Sequence, residues 1–314
     1  MTASISIPIA IAKDLLTGAE WTPADTRDLL QRTTDIKARP ARYASVLRNK
    51  HLALIFEKPS LRTRVTFEVG IQSMGGFVVF LDHTQARLGE RESIPDVARN
   101  LERWVQGIVA RVYEQRVLEE MAANIAIPVV NALSDKFHPC QALADFFTLE
   151  EKFGSVKGFK LAYVGDGNNV CHSLLYLAAR LGVAMRVATP ANYAPDAAVL
   201  ADAERVGRQT GATMELFTDP HEAVDGVQAV YTDSWTSMGF ETQEKVRRQV
   251  FKPYQVNRKL MAEAAPGAVF MHCLPAHRGA EVTDEVLDAP YSIVLQQSEN
   301  RMYVQKAILQ ALYS

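Results

Sequence analysis

Short β-branched or apolar runs recur along the chain, each followed by a polar turn and then a stretch with helical spacing. The first half offers HLALIF, GFVVFL, GIVARV and IPVVNA as strands. The second offers KLAYVG, MRVATP, TMELFT, AVYTD, AVFMHCL and SIVLQQ. Strands alternating with helices in this way predict parallel sheets covered by helices, because a parallel connection needs a crossover. Between the halves, PCQALADFFTLEEKFG places Leu143, Phe146, Phe147 and Leu149 at positions that suit a helix, with Gly154 as its stop. The reading is α/β: two doubly wound parallel-sheet domains, residues 1–148 and 149–296, with a cleft between them. Met302, Ile308, Leu309 and Leu312 have roughly helical spacing, so residues 297–314 are expected to form a C-terminal helix docking back toward the first domain. Ligands of such folds bind at the carboxyl ends of the strands, in the cleft.

Composition restricts the function. The 314 residues are 48% hydrophobic, enough to bury a sizeable core in about two domains of ~150 residues. With 34 basic and 36 acidic residues, the chain carries no global charge for nucleic acid or an anionic membrane, so any anion is bound locally. Cys140, Cys171 and Cys273 are far apart, which disfavours a disulfide framework or a zinc ribbon and suits a reducing compartment. The opening residues lack a basic leader and no apolar run reaches the ~20 residues that span a bilayer. The expected location is the cytoplasm.

Candidate chemistry lies at strand ends. In FEKPSLRTRVTFE, Ser60 follows a strand and precedes a helical pattern, so free backbone N–H groups, Arg62 and the Thr63 hydroxyl can cradle a phosphate; an ordinary capped helix fits the stretch equally well. Arg64 and Glu68 are an i,i+4 pair and read as structural. YVGDGNNVCHSLL has glycines at a strand-to-helix turn, yet Val170 occupies the third position of the dinucleotide pattern. Asn168 and Asn169 are candidates for ligand contact or helix capping. Arg111 ends GIVAR, HPCQ sets His138 and Gln141 at i,i+3, Asp233 sits near Ser237, Met238 and Gly239, and Cys273 precedes Leu274 and Pro275. His272, Cys273 and His277 lack a recognised metal-ligand spacing.

Taken together, the S-x-R-T-R run at Ser60 to Arg64, ESIPDVAR, HPCQ, GDGNN, DSWTSMG and HCLP occur in the order found in the aspartate/ornithine transcarbamylase family, and the chain resembles that family over nearly its whole length. Cys273, where the aspartate-using branch carries proline, and the S-M-G loop place the resemblance on the ornithine branch. It implies transfer of a carbamoyl group from carbamoyl phosphate to the δ-amine of L-ornithine, giving citrulline and phosphate through a tetrahedral intermediate. A related amine, putrescine or an N-acylated ornithine, is the alternative. Implied phosphate contacts are Ser60, Leu61, Arg62 and Thr63. Thr63, Arg111 and His138 would face the carbonyl oxygen, while Gln141 and Leu274 would hold the carbamoyl amino group. Arg301 completes that pocket. Asn169, Ser237 and Met238 would hold the α-amino-acid end of ornithine, and Asp233 and Cys273 its δ-amine; Arg111, His138, Asp233 and Cys273 are the implied catalytic set. No metal or organic cofactor is implied. A homotrimer with shared sites is, Arg87 being lent by the neighbouring subunit. Leu61 and Arg87 depart from the common family residues, threonine and glutamine or histidine. The implied place is arginine metabolism, biosynthesis included, with the same chemistry in either direction.

Overall fold

The computed structural model describes residues 12–236 and 241–313. Among the described residues, nine strands form two separate, wholly parallel sheets. The first contains β1 (His51–Phe56), β2 (Phe77–Asp82), β3 (Gly107–Arg111) and β4 (Val129–Leu133) in the order β2-β1-β3-β4. The second contains β5 (Lys160–Val164), β6 (Ala184–Ala188), β7 (Met214–Phe217), β8 (Ala229–Thr232) and β9 (Val269–His272) in the order β7-β6-β5-β8-β9. Helices α1 (Pro23–Ala38), α2 (Leu61–Ser73), α3 (Ile94–Glu102), α4 (Gln115–Asn124) and α5 (Pro139–Phe153) belong to the first half. The second half carries α6 (Asn169–Leu181), α7 (Ala197–Thr210), α8 (Pro220–Val224), α9 (Glu244–Phe251), α10 (Arg258–Met261), α11 (Asp284–Leu287) and α12 (Val294–Tyr313).

Strands β3 and β4 are buried at every position. This is what helices on both faces require, and it explains why they read as continuous apolar runs rather than alternations. One hydrophobic cluster runs from Leu54 and Phe56 of the first sheet through Phe146 of α5 and Leu174 of α6 to Tyr163, Tyr231 and Met271 of the second. Helix α12 packs against α5, α1 and α2, with Val304, Ile308 and Leu309 in the same cluster. The chain therefore leaves the second sheet and returns to the first half. The expected 148/149 division falls inside α5, which ends at Phe153 with Gly154 in a positive-φ cap.

One element differs from its sequence reading. SIVLQQ is not a strand: Ser292 makes a single bridge to Phe270, and Val294 already begins α12. Its apolar core is only Ile293, Val294 and Leu295, too short for periodicity to separate strand from helix.

In each sheet the strand order reverses at one point, between β1 and β3 in the first and between β5 and β8 in the second. At or just beyond the carboxyl ends of those four strands lie Ser60, Arg111, the Gly165 to Asn169 turn and Asp233. Such switch points open a crevice, because the neighbouring connections leave toward opposite faces. The two crevices share one cavity.

Candidate active site

That cavity, of about 860 Å³, is lined by Ser60, Leu61, Arg62, Thr63, Arg111 and His138 from the first half, and on its other walls by Asn169, Asp233, Cys273, Leu274, Gln141 and Arg301. Every site residue expected from the sequence and described by the structure is there except Arg87. Arg87 packs on the Tyr113 ring at 4.0 Å and lines a different, smaller hollow with Leu88 and Ser93. Ser237 and Met238 lie outside the described residues.

The anion side begins with Ser60, the extended N-cap of α2, whose side chain makes no capping bond. Its hydroxyl and the first N–H groups of the helix are thus free of intrahelical duty. Arg64 is engaged elsewhere, with Glu68 at 2.9 Å and over the Phe80 ring, as its spacing predicts. Arg62, Arg111 and Arg301 bring three guanidinium groups to the cavity. Burial lowers the pKa of each, and Arg111, further opposed by Arg301, falls to about 10. All three remain charged at neutral pH, and their mutual repulsion is relieved by an anion between them. His138 is buried beside Arg301 and Arg111, which together with desolvation hold its pKa well below the usual histidine value. It is a neutral imidazole. Arg111 Nε, Arg301 Nε and His138 Nδ1 are buried without a hydrogen-bond partner among the described residues.

Arg301 is fixed at both ends of its fork. One nitrogen donates to Thr63 Oγ1 and the other to Gln141 Oε1 at 2.7 Å. The Gln141 amide in turn donates from Nε2 to Asp145 Oδ1 at 2.7 Å. Asp145 also accepts from Gln297 Nε2 at 2.7 Å and from the Tyr231 hydroxyl at 3.0 Å.

On the opposite wall, Asp233 follows β8 and Cys273 follows β9, adjacent parallel strands. Asp233 accepts from Cys273 Sγ at 3.0 Å and Ser234 N at 2.7 Å on one oxygen, and from Asn168 Nδ2 at 2.8 Å on the other. The Asn168 amide has only one usable orientation, because its oxygen caps α6 by accepting from Val170 N and Cys171 N. Asn169 does not cap; its amide donates across the cleft to Ser134 O at 2.7 Å. Burial and the Asp233 charge push the Cys273 thiol well above its ordinary value, so it donates as a protonated thiol. Leu274 holds a left-handed φ of 58°, costly for a side chain with a Cβ. Its N–H donates to His272 Nδ1 at 2.9 Å, and His272 Nε2 meets Glu281 at 3.1 Å.

The glycine-rich turn has a packing explanation. A Cβ on Gly167 would come within 2.3 Å of Pro195 N and 2.5 Å of Ala194 C, so the position accommodates the neighbouring loop rather than a nucleotide phosphate. Asp233, His272 and Cys273 form a tight group, with ligand-capable atoms within 4.8 Å of one another. Both His272 nitrogens and the thiol proton are already engaged within the protein. His277, weighed with them from the sequence, turns to Ser234 Oγ at 3.2 Å.

The family description "Aspartate/ornithine carbamoyltransferase, carbamoyl-P binding domain" matches residues 13–151, and "Asp/Orn binding domain" of the same family matches residues 157–312. The chain belongs to the aspartate/ornithine carbamoyltransferase family. Within it, the chain is 49% identical over 302 residues to a protein from Shewanella oneidensis named ornithine carbamoyltransferase, covering 96% of this chain and 100% of the relative. It is 47% identical over 289 residues to "Ornithine carbamoyltransferase, anabolic" of Pyrococcus furiosus, covering 92% and 90%. A solved ornithine carbamoyltransferase structure from Pyrococcus furiosus superposes with a TM-score of 0.92 at 45% identity, covering 96% of this chain and 97% of that one.

Sequence reading of this carbamoyltransferase-family chain missed several groups at the site. Lys58 lines the cavity, lies 4.4 Å from the Tyr113 ring centre, and has a pKa lowered to about 8 by burial and Arg111. Its place directly before Pro59 and Ser60 was the available signal. Arg247 pairs with Asp166 and donates to Trp235 O, tying α9 to both cleft turns. Asp145 carried one signal, its i+4 spacing from Gln141.

Proposed function

We propose that the protein transfers the carbamoyl group of carbamoyl phosphate to the δ-amine of L-ornithine, releasing citrulline and phosphate. The observation that carries this reading is the polarity of one cavity: three arginines, a neutral histidine and a helix N-terminus stand on one side, and the Asp233–Cys273 pair on the other. A dianionic leaving group suits the first wall and an amine the second.

Phosphate binds at Ser60, the Leu61 N–H, Arg62 and Thr63, where the α2 N-terminus favours negative charge. The carbonyl oxygen is held by Thr63, Arg111 and His138, with Arg301 completing the pocket, so the donors are already in place when charge develops on that oxygen. A neutral His138 still offers one N–H and adds no fourth cation. Gln141 Oε1 and the Leu274 carbonyl accept from the carbamoyl amino group and set which face of the carbon is open. Ornithine lies with its α-amino-acid end toward Asn169, Ser237 and Met238. Its δ-ammonium loses a proton toward Asp233, with Cys273 orienting that carboxylate as a donor. The neutral amine attacks the carbonyl carbon, forming the C–N bond; as the tetrahedral intermediate collapses, the C–O bond to phosphate breaks and the nitrogen's second proton leaves with the departing phosphate.

The family relationship and an exposed apolar stripe support a homotrimer with shared sites. Leu61, Val65 and Val69, at i, i+4 and i+8 on α2, are exposed, as are Phe77 and Val79 on the edge strand β2. Leu61 also lines the cavity, so a neighbour seated on the stripe stands beside the site. The name of the Pyrococcus furiosus relative favours the citrulline-forming direction. Among the described residues no helix is long and apolar enough to cross a membrane.

The test is incubation with carbamoyl phosphate and, separately, ornithine, N-acetylornithine, putrescine and aspartate, with ureido product and phosphate both measured. Efficient turnover is expected with ornithine alone. Equal or better turnover of putrescine overturns the specificity.

A further inference from the structure

Asp145 lies behind the anion wall, 1% exposed, with both carboxylate oxygens taken by neutral donors. A buried acid in the middle of a helix packed on the core is costly to keep unless its bonds do something apolar residues cannot. Those bonds come from three elements: Gln141 one turn earlier on α5, Tyr231 on β8 and Gln297 on α12. Between the Asp145 carboxylate and the Arg301 guanidinium stands the Gln141 amide, with Nε2 toward the acid and Oε1 toward the base. Reversing that amide would set oxygen against carboxylate and N–H against guanidinium. The acid and the base therefore fix one orientation of Gln141 together, and Arg301 passes the constraint on to Thr63.

Resting on the proposed carbamoyl transfer, we infer that Asp145 is a positioning residue for carbamoyl phosphate: it holds the Gln141 amide with Oε1 toward the carbamoyl amino group and, through Gln141, seats Arg301 against Thr63. It touches neither substrate. Burial raises its pKa to about 6, so the carboxylate is ionised at neutral pH and supplies the charge that polarises the amide. Its effect falls on one substrate, since Gln141, Arg301 and Thr63 all stand on the carbamoyl phosphate side.

Asp145→Asn tests this, because the carboxamide has nearly the same shape but is uncharged and can turn either its oxygen or its N–H toward Gln141, so it no longer fixes which way the Gln141 amide points. Expected at pH 7.5 are a rise of about tenfold or more in KM for carbamoyl phosphate, a KM for ornithine within about twofold of wild type, and an undiminished melting temperature. A double-mutant cycle with Gln141→Ala should show that Asp145→Asn adds little once the amide is gone. Additive losses, or equal losses for both substrates accompanied by a fall in melting temperature, would reduce Asp145 to a structural role and overturn the inference. If Asp145→Asn does not fold, Tyr231→Phe decides the matter: it strips one donor from the same carboxylate and should raise KM for carbamoyl phosphate alone, whereas an unchanged KM refutes the role. Wild-type protein that makes no citrulline would instead refute the underlying carbamoyl-transfer reading, so the two failures are distinguishable.

Discussion

Cys273 donates from Sγ to Oδ1 of Asp233 across 3.0 Å, joining the ends of two neighbouring parallel strands. Because burial and that carboxylate keep the sulfur protonated, the role proposed for it is to donate and orient rather than to attack. Cys273→Ser retains an O–H donor and should keep KM for ornithine within about threefold of wild type, whereas Cys273→Ala should raise it about tenfold, the worth of one net hydrogen bond. Steady-state kinetics of the two variants check this, and equal damage in both would count against the thiol acting as a donor.

Asp233→Asn tests the proposed base. An amide cannot take a proton from the δ-ammonium, so kcat at pH 7.5 should fall about 100-fold or more, the usual contribution of a positioned base. Raising the pH supplies more neutral ornithine from solution and should recover part of the loss. A variant with near-normal kcat and an unchanged pH profile removes Asp233 from proton transfer.

Acid stability follows from two buried histidines. His138 and His172 both have pKa values lowered by burial. His172 also bridges Lys136 O and Asp196 N at 2.9 Å each, the second bond needing an unprotonated nitrogen. Below the unfolded value near 6.5 the unfolded chain takes up protons that the native state refuses, so stability falls with acid by up to ~1.4 kcal/mol per pH unit for each histidine. Asp145 acts in the opposite sense. Its folded value of about 6 lies above the ordinary carboxylate value, so its contribution is largest in acid and is lost as pH rises through about 6. Urea unfolding at pH 5, 6 and 7 should show a positive slope for wild type and a shallower one for His172→Asn. An identical slope in the variant would remove His172 as a contributor.

The sequence shows the fold well because its nine observed strands are short apolar runs ended by polar turns, and parallel sheets make such runs nearly continuous. SIVLQQ misled because three apolar residues before two glutamines suit a strand end and a helix start alike. Cavity-lining residues were legible where they end a strand or follow one within a few positions, as Ser60, Arg111, Asp233 and Cys273 do. Asp145 was not, since its partners Tyr231 and Gln297 lie 86 and 152 residues away and an acid among helix residues resembles a solvated face until tertiary packing buries it. Arg247 was hidden for the same reason, its partner Asp166 being 81 residues distant.

The exposed stripe on α2 gives the last prediction, an assembly whose sites are shared. Val65 and Val69 are 47% and 46% exposed one helical turn apart, and β2 beside them has a free edge in the first sheet, an arrangement that invites pairing unless covered. Three copies meeting head to tail close the ring, each covering its neighbour's stripe. Arg87 stands outside its own chain's cavity, with its guanidinium over the Tyr113 ring, on a segment anchored where Leu88 N donates to Glu57 Oε1 at 2.8 Å; a shared site requires it to turn from that ring toward the adjoining copy. Light scattering should give three times the chain mass for wild type, and Val65→Asp combined with Val69→Asp should give monomers with little activity. Arg62→Ala and Arg87→Ala should each be strongly impaired alone. Refolded together in equal amounts, they should recover activity at about one interface in four, where an intact Arg62 pocket meets an intact Arg87 loop. Fully active monomers, or verified hybrids without recovery, would show that each chain completes its site alone.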